Sequence, residues 1–382
     1  MRKFGYEDIV DMIWGTTLLG GGGGGSMLNG LDLLERYMAT HGVSKEAISV
    51  DVIEPAEMEA GAYAAVTAGM GAPTRIKDVD FSKYATNAFE LMQEFVLPEK
   101  VRYSMAVELG GFNTFVPMLI SLEKGIPFID TDGAARAVPA LPTLLLHVNG
   151  VDTSPLVMTN AYEGSDKYDK VTIKLQDPKD AVLAESLARG VCVAFDMLSG
   201  LCGWMMQKDE IEKTLPVGTI TLSQKIGNVL RDNSIKEKFA ALNEMGIVEC
   251  RELVRGKVTG GANLQAKGFD FGYIEVTDEK TGEVWRNEFQ NENLVISTGK
   301  KDGIGDVKMT VPDIICSYNA DTSQSLTNAD YFDGDGKLVE QNVVFGAVKV
   351  SDKWWITGDD HVASVWKEYL GHVDYAGPLV KY

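Results

Sequence analysis

The sequence predicts an α/β protein of two domains. The N-terminal one has a mainly parallel sheet flanked by helices, and a β-rich, barrel-like domain follows it. Three observations carry this. Residues 101–129 read as strand, short helix, strand, a unit whose two strands run parallel. Both strands run into acid-bearing turns, Glu108-Leu-Gly-Gly-Phe-Asn113 and Asp130-Thr-Asp-Gly133, at the edge where open α/β sheets bind ligands. From about residue 250, Val-rich and aromatic segments alternate with Gly, Asp and Asn turns. A length of 382 residues accommodates both domains.

The elements follow in order. Residues 6–14 have helical spacing of apolar groups, and six glycines, Gly20 to Gly25, come soon after. Ser26 is placed to cap a helix from Met27 to about Met38. Strands are expected at 48–53 and 64–68, and a helix near 81–95. Val101–Val107 is a strand, 114–124 a helix closed by Gly125, and 126–129 the next strand. Residues 181–209 read as one long apolar-rich helix, and 215–232 as a turn and a helix. In the second domain, 269–277 and 284–289 flank a polar turn and predict a hairpin. Residues 343–350 and 353–356 form another candidate strand pair, and 362–371 is amphipathic. The expected boundaries are 1–246, 247–357 and a tail, 358–382, packing back on the first domain.

Composition narrows function. A net charge of −19 disfavours nucleic acid as a partner, since such a surface repels phosphate backbones. A small anionic substrate is still compatible, because a local arginine outweighs a distant, screened field. No apolar run is long enough to span a bilayer, and the start of the chain does not read as a signal peptide, so the expected location is the cytoplasm. The four cysteines are scattered, as expected of reduced, buried thiols.

Three clusters are candidates for chemistry. The glycine run reads either as an anion cradle at a helix start or as a turn that needs close backbone approach. It matches no nucleotide-binding fingerprint, which leaves nucleotide-dependent transfer the weaker idea. Glu108 stands just past a strand end with Gly110, Gly111 and Asn113 beside it. Asp130 and Asp132 point to one side of an extended chain, where such a pair can hold a divalent metal or divide acid and base roles. Arg136 can pair with them or clamp a substrate carboxylate. The bland alternative for both acidic clusters is a capped or salt-bridged turn. No H-x-x-x-H or H-x-H motif is present, and His361 is the best placed of the four histidines.

A resemblance emerges from these residues. Thr17-Leu-Leu with the glycine run, Met70-Gly-Ala-Pro-Thr74, Glu108-Leu-Gly-Gly-Phe-Asn113, Gly125-Ile-Pro with Asp130-Thr-Asp-Gly133, Arg136 and Pro139 occur in this order. Gly218-Thr219-Ile-Thr-Leu-Ser223, Gly256-Lys-Val258, Gly268-Phe269, Phe289-Gln-Asn-Glu-Asn293 and Pro312-Asp313 extend it. The chain resembles the S-methyl-thiohydantoin desulfurase family, whose members are often found beside hydantoinase/oxoprolinase proteins. The resemblance implies an α/β domain, a β domain and hydrolysis at a small hydantoin- or thiohydantoin-like C–N or C–S centre.

The functional expectation joins both lines. Glu108, Asp130, Asp132 and Arg136 are the expected catalytic residues, with Asp130 or Asp132 activating water directly or through a metal. Gly22, Gly23, Gly24, Gly110, Gly111 and Asn113 are expected to contact substrate, the glycine N–H groups facing developing negative charge. Arg136 would hold a substrate carboxylate. The expected partner is a small-molecule substrate, bound by a homo-oligomer. The alternative is a non-catalytic, ligand-binding subunit of a hydantoinase/oxoprolinase-type complex.

Overall fold

The computed structural model describes residues 1–71, 81–95, 100–160, 171–176, 180–195, 198–266, 269–299 and 303–382. Along the chain come β1 (Arg2–Phe4), α1 (Tyr6–Leu19), α2 (Met27–His41), β2 (Val50–Ile53), β3 (Tyr63–Gly71) and α3 (Phe81–Phe95). Next are β4 (Val101–Ala106), α4 (Phe115–Lys124), β5 (Phe128–Asp132), α5 (Leu145–Val148), β6 (Leu156–Thr159) and β7 (Thr172–Leu175). Then follow α6 (Ala181–Ala194), β8 (Leu198–Met206), α7 (Lys208–Thr214), α8 (Thr219–Arg231) and α9 (Lys238–Glu244). The C-terminal part holds β9 (Cys250–Ala266), β10 (Phe269–Asp278), β11 (Val284–Gln290), β12 (Glu292–Thr298) and β13 (Asp306–Thr310). It closes with β14 (Ile314–Asn319), β15 (Ser325–Leu326), β16 (Asn342–Val348) and α10 (Asp359–His372).

Local signals set the helix ends. The Ser26 hydroxyl accepts the Asn29 N–H at 3.2 Å and so satisfies one donor of the first turn of α2. Gly42 and Gly125 close α2 and α4 in the left-handed conformation, both with φ of 63°.

The N-terminal sheet has the order β1-β2-β5-β4-β3-β8-β6-β7. Its middle, β2-β5-β4-β3, is parallel, and the pairings β1–β2, β3–β8, β8–β6 and β6–β7 are antiparallel. The sheet is therefore mixed, where a mainly parallel one was expected. The largest departure is β8. The stretch read as one helix over 181–209 divides into α6 and a strand between β3 and β6. Leu198–Met206 is apolar on both faces because helices cover both sides, and a short all-apolar run does not distinguish a buried strand from a buried helix.

The C-terminal sheet is all antiparallel, in the order β13-β12-β11-β10-β9-β16-β14-β15. It curls, because Val311 N–H donates to Leu294 O at 3.0 Å and brings the approach to β14 beside β12. The hairpin expected around 278–283 is β10–β11. Residues 353–356 do not pair with β16. Asp352–Trp355 is a 3-10 turn that buries Trp354, and β16 lies between β9 and β14 instead.

Apolar cores cover both faces of the N-terminal sheet. Val362, Trp366 and Leu370 of α10 join one of them, alongside Leu145, Leu146 and Ile211. The other includes Ile314, Cys316, Val344 and Val348 of the second sheet, so the two sheets share apolar interior. The four cysteines are buried and unpaired, and burial pushes Cys202 up to about 12. No helix among the described residues is long and apolar enough to cross a membrane.

Candidate functional site

The site lies at the C-terminal ends of β4 and β5, which are neighbouring parallel strands. Beyond β4 the chain turns through Glu108–Asn113 into α4. Glu108 is buried, and Oε1 accepts Asn113 Nδ2 at 2.6 Å while Oε2 accepts the Val138 N–H at 2.9 Å. Burial pushes its carboxyl up to about 7 against those two bonds, Asp132 adds repulsion and Arg136 opposes it.

Asp132 ends β5. Its Oδ2 accepts the N–H groups of Ala134 and Ala135 at 2.9 and 2.6 Å, and burial pushes the carboxyl up to about 6. The Thr219 hydroxyl acts on this carboxylate and favours its charged form. Yet neither Asp132 Oδ1 nor Thr219 Oγ1 closes a hydrogen bond among the described residues. Two buried oxygens are thus held near one another with lone pairs and a proton to spare.

Asp130 is placed differently. Oδ1 accepts the N–H groups of Ile220 and Thr221, both at 2.9 Å, and Oδ2 accepts the Thr221 hydroxyl at 2.5 Å. This carboxylate satisfies the orphan donors at the start of α8 and complements the helix dipole. Arg136 is fully buried, and its donors go to main-chain carbonyls. Nε reaches Ala137 O at 2.8 Å, Nη1 reaches Pro312 O and Asp313 O at 2.8 and 3.1 Å, and Nη2 reaches Asn293 O at 3.3 Å. The geometry ties the two domains together, where the sequence suggested a clamp for a substrate carboxylate. Burial lowers the guanidinium to about 10, opposed by Glu292, Asp313 and Glu108.

The glycine run is packed between the domains. The carbonyls of Gly21, Gly22 and Gly24 accept the N–H groups of Asn293, Asn328 and Asn113 at 2.8, 2.8 and 3.0 Å. A Cβ on Gly23 would overlap Glu292 Oε1, and one on Gly24 would lie 2.6 Å from Leu109 O and 2.7 Å from Gly110 Cα. A Cβ on Gly110 would overlap Gly24 O, and one on Gly111 would overlap Thr17 Oγ1. The anion at this loop is the protein's own, since the carboxylate of Glu292 lies against Gly23.

Glu292, Thr219 and Asn293 are residues the sequence did not single out for chemistry. Glu292 is buried, raised well above its ordinary range by burial and by Glu108, and its Oε2 has no partner among the described residues. The signal was the Phe289-Gln-Asn-Glu-Asn293 motif, but its approach to the glycine loop, where Asn293 N–H donates to Gly21 O, is a long-range contact. His361 is exposed. Among the described residues no group of three or more His, Cys, Asp or Glu gathers to hold a metal ion. Ala72–Thr74 and Gly268 of the resembling motifs lie outside the described residues.

Comparison with known proteins now adds to the geometry. Residues 7–166 match the model "S-Me-THD-like, N-terminal domain", and residues 179–356 match "S-Me-THD-like, C-terminal domain". The chain belongs to the S-Me-THD-like family. The family division falls ahead of α6, whereas the sheets divide before Cys250, so β8 completes the N-terminal sheet from residues matched by the C-terminal model. An X-ray crystal structure of a protein from Chromobacterium violaceum is similar at 22% identity, with a TM-score of 0.80 over 100% of both chains, and shows a shared fold. No curated protein matches the chain.

Proposed function

We propose that this S-Me-THD-like protein hydrolyses a small thiohydantoin- or hydantoin-like ring at a C–S or C–N carbon. Asp132 is the base and Glu108 the acid. The observation that carries the reading is their placement at adjacent strand ends, buried, with proton affinities brought to about 6 and about 7. Asp132 Oδ1 is the oxygen left to take a proton from water, beside the equally unpartnered Thr219 hydroxyl.

For an S-methylated ring the balance is simple. Water oxygen bonds to the trigonal carbon as Asp132 takes its first proton and passes it to the ring nitrogen. The C–S bond then breaks, Glu108 protonates the departing sulfur, and the hydroxyl proton returns to Glu108 as the carbonyl forms. The products are the ring carbonyl and methanethiol. Asn113 orients Glu108, Asp130 holds the start of α8 and with it Thr219, and Arg136 joins the domains around the site. A panel of S-methyl-thiohydantoins, thiohydantoins, hydantoins and oxoproline analogues tests this, with and without added divalent metal. Thiol release or ring opening is expected for at least one class, and no turnover by folded protein would overturn the proposal.

One observation favours the second reading, a subunit that works in a complex. Val182, Leu183, Leu187 and Val193 of α6 are exposed apolar side chains on one side of the helix. Activity arising only with a hydantoinase/oxoprolinase-type protein would decide for it, and a solution mass above 41.6 kDa would show the expected homo-oligomer.

A further inference from the structure

One peptide unit beside Asp132 is held at both ends, and the two ends are held by different domains. Asp132 Oδ2 accepts the N–H groups of Ala134 and Ala135 at 2.9 and 2.6 Å. The amide of Ala135 belongs to the same planar unit as the carbonyl of Ala134, and that carbonyl accepts Trp354 Nε1 at 2.8 Å. The N–H and C=O of a trans unit point opposite ways, so a donor that fixes the carbonyl also aims the amide. Trp354 lies in the 3-10 turn Asp352–Trp355 that follows β16. Its own N–H donates to Ser351 O at 3.0 Å, its ring packs 5.8 Å from that of Trp366, and it is fully buried.

This turn needs holding. Ala135 has a φ of 61°, in the left-handed region that a residue with a Cβ disfavours. Gly133 N–H donates to Ala106 O at 3.1 Å, Leu146 N–H donates to Gly133 O at 3.2 Å, and Leu109 N–H donates to Arg136 O at 3.2 Å. Those anchors are main-chain groups of the N-terminal domain, and they stand on either side of Ala134–Ala135. Trp354 supplies a side-chain donor between them. Ala134 is fully buried, so loss of that donor would leave its carbonyl unsatisfied and away from bulk water. A phenylalanine at position 354 would keep the apolar contacts and bring no donor, so packing alone does not explain an indole there.

We propose that Trp354 is a positioning residue for Asp132: its indole N–H holds the Ala134–Ala135 unit in the left-handed turn, which fixes Oδ2 and leaves Oδ1 as the free oxygen of the base. The role of Asp132 as base rests on the proposed hydrolysis, whereas the held peptide is a property of the resting protein. The C-terminal domain thereby sets the orientation of a carboxylate that ends a strand of the N-terminal domain.

Amide NMR of the whole protein with isotope-labelled alanine tests the held unit without any substrate. The Ala135 signal is the one lost in Ala135→Gly. The expected result is a wild-type Ala135 amide protected from exchange with solvent, and the same amide in folded Trp354→Phe exchanging faster by about tenfold or more. Equal protection in the two proteins overturns the proposal. If Trp354→Phe does not fold, the wild type still decides. An Ala135 amide that exchanges freely, or whose signal does not move in Asp132→Asn, overturns it. With an active substrate, folded Trp354→Phe should lose about tenfold in kcat with KM changed by no more than about twofold. Trp354→Phe/Ala135→Gly should recover part of that loss, because glycine takes the left-handed turn without a Cβ penalty. A folded Trp354→Phe protein with wild-type kcat, or a loss that the glycine leaves unchanged, contradicts the positioning role. If the amide responds but no ring substrate is turned over, the held peptide stands and the hydrolase reading fails.

Discussion

At the scale of the residue, identical side chains separated by one position do different work. Asp130 accepts the Ile220 and Thr221 N–H groups and the Thr221 hydroxyl, so Asp130→Asn should destabilise the fold by roughly 1–2 kcal/mol, the worth of a helix cap. Turnover should fall only with the folded fraction. Asp132→Asn should leave Tm unchanged or higher, because it removes a buried charge that Glu108 repels, yet it should cost about 10²–10⁴ in kcat. Melting curves and rates on the same preparations separate the two. Stability itself should respond to pH. Glu108 and Asp132 bind protons more tightly in the folded chain than their ordinary values of 4.5 and 3.8 allow. The folded state therefore holds more protons, its advantage is complete below those ordinary values, and it is lost as pH rises through about 6 and about 7. Glu108→Gln should flatten this decline in Tm, and an identical decline in the variant would contradict the assignment. The acidic turns were legible in the sequence as positions, because a strand that ends in Asp-x-Asp-Gly places them. The roles within the pair were not, because they depend on whether a helix 90 residues away begins at that oxygen.

At the scale of the element, the glycine loop shows how one local pattern admits two physical readings. Six glycines before a capped helix resemble an anion cradle, and a carboxylate does lie against the loop, but one supplied by Glu292. Gly23→Ala should push Glu292 away and destabilise the protein by about 1–3 kcal/mol through overpacking, with loss of activity beyond the unfolded fraction. Thermal melting and turnover measured together check it. If Gly23→Ala is stable and active, the loop has no such close contact. Helix ends such as Ser26, Gly42 and Gly125 were readable because a cap is a local event. Strand β8 was not readable as a strand, because a stretch buried on both faces has no alternation to reveal it.

At the scale of the molecule, the site is the seam between two sheets. Arg136 crosses it to the carbonyls of Asn293, Pro312 and Asp313, and Trp354 Nε1 crosses back to Ala134 O at 2.8 Å. Arg136→Met should cost about 3–5 kcal/mol, since it leaves buried carbonyls and carboxylates without their cation. Both domains should melt in one transition in the wild type, and a variant that melts in two would show the seam broken. That two domains exist was legible from the change of pattern near residue 250, but the reach of Arg136 to Asn293, Pro312 and Asp313 is not written in either segment. The most direct test of the whole account is the pH–rate profile of ring hydrolysis by the wild type and by Asp132→Asn. The account predicts a wild-type maximum between about 6 and about 7, and a variant that is folded, slower by about 10² or more, and without the acidic limb. A folded Asp132→Asn protein with wild-type turnover and an unchanged profile would contradict it.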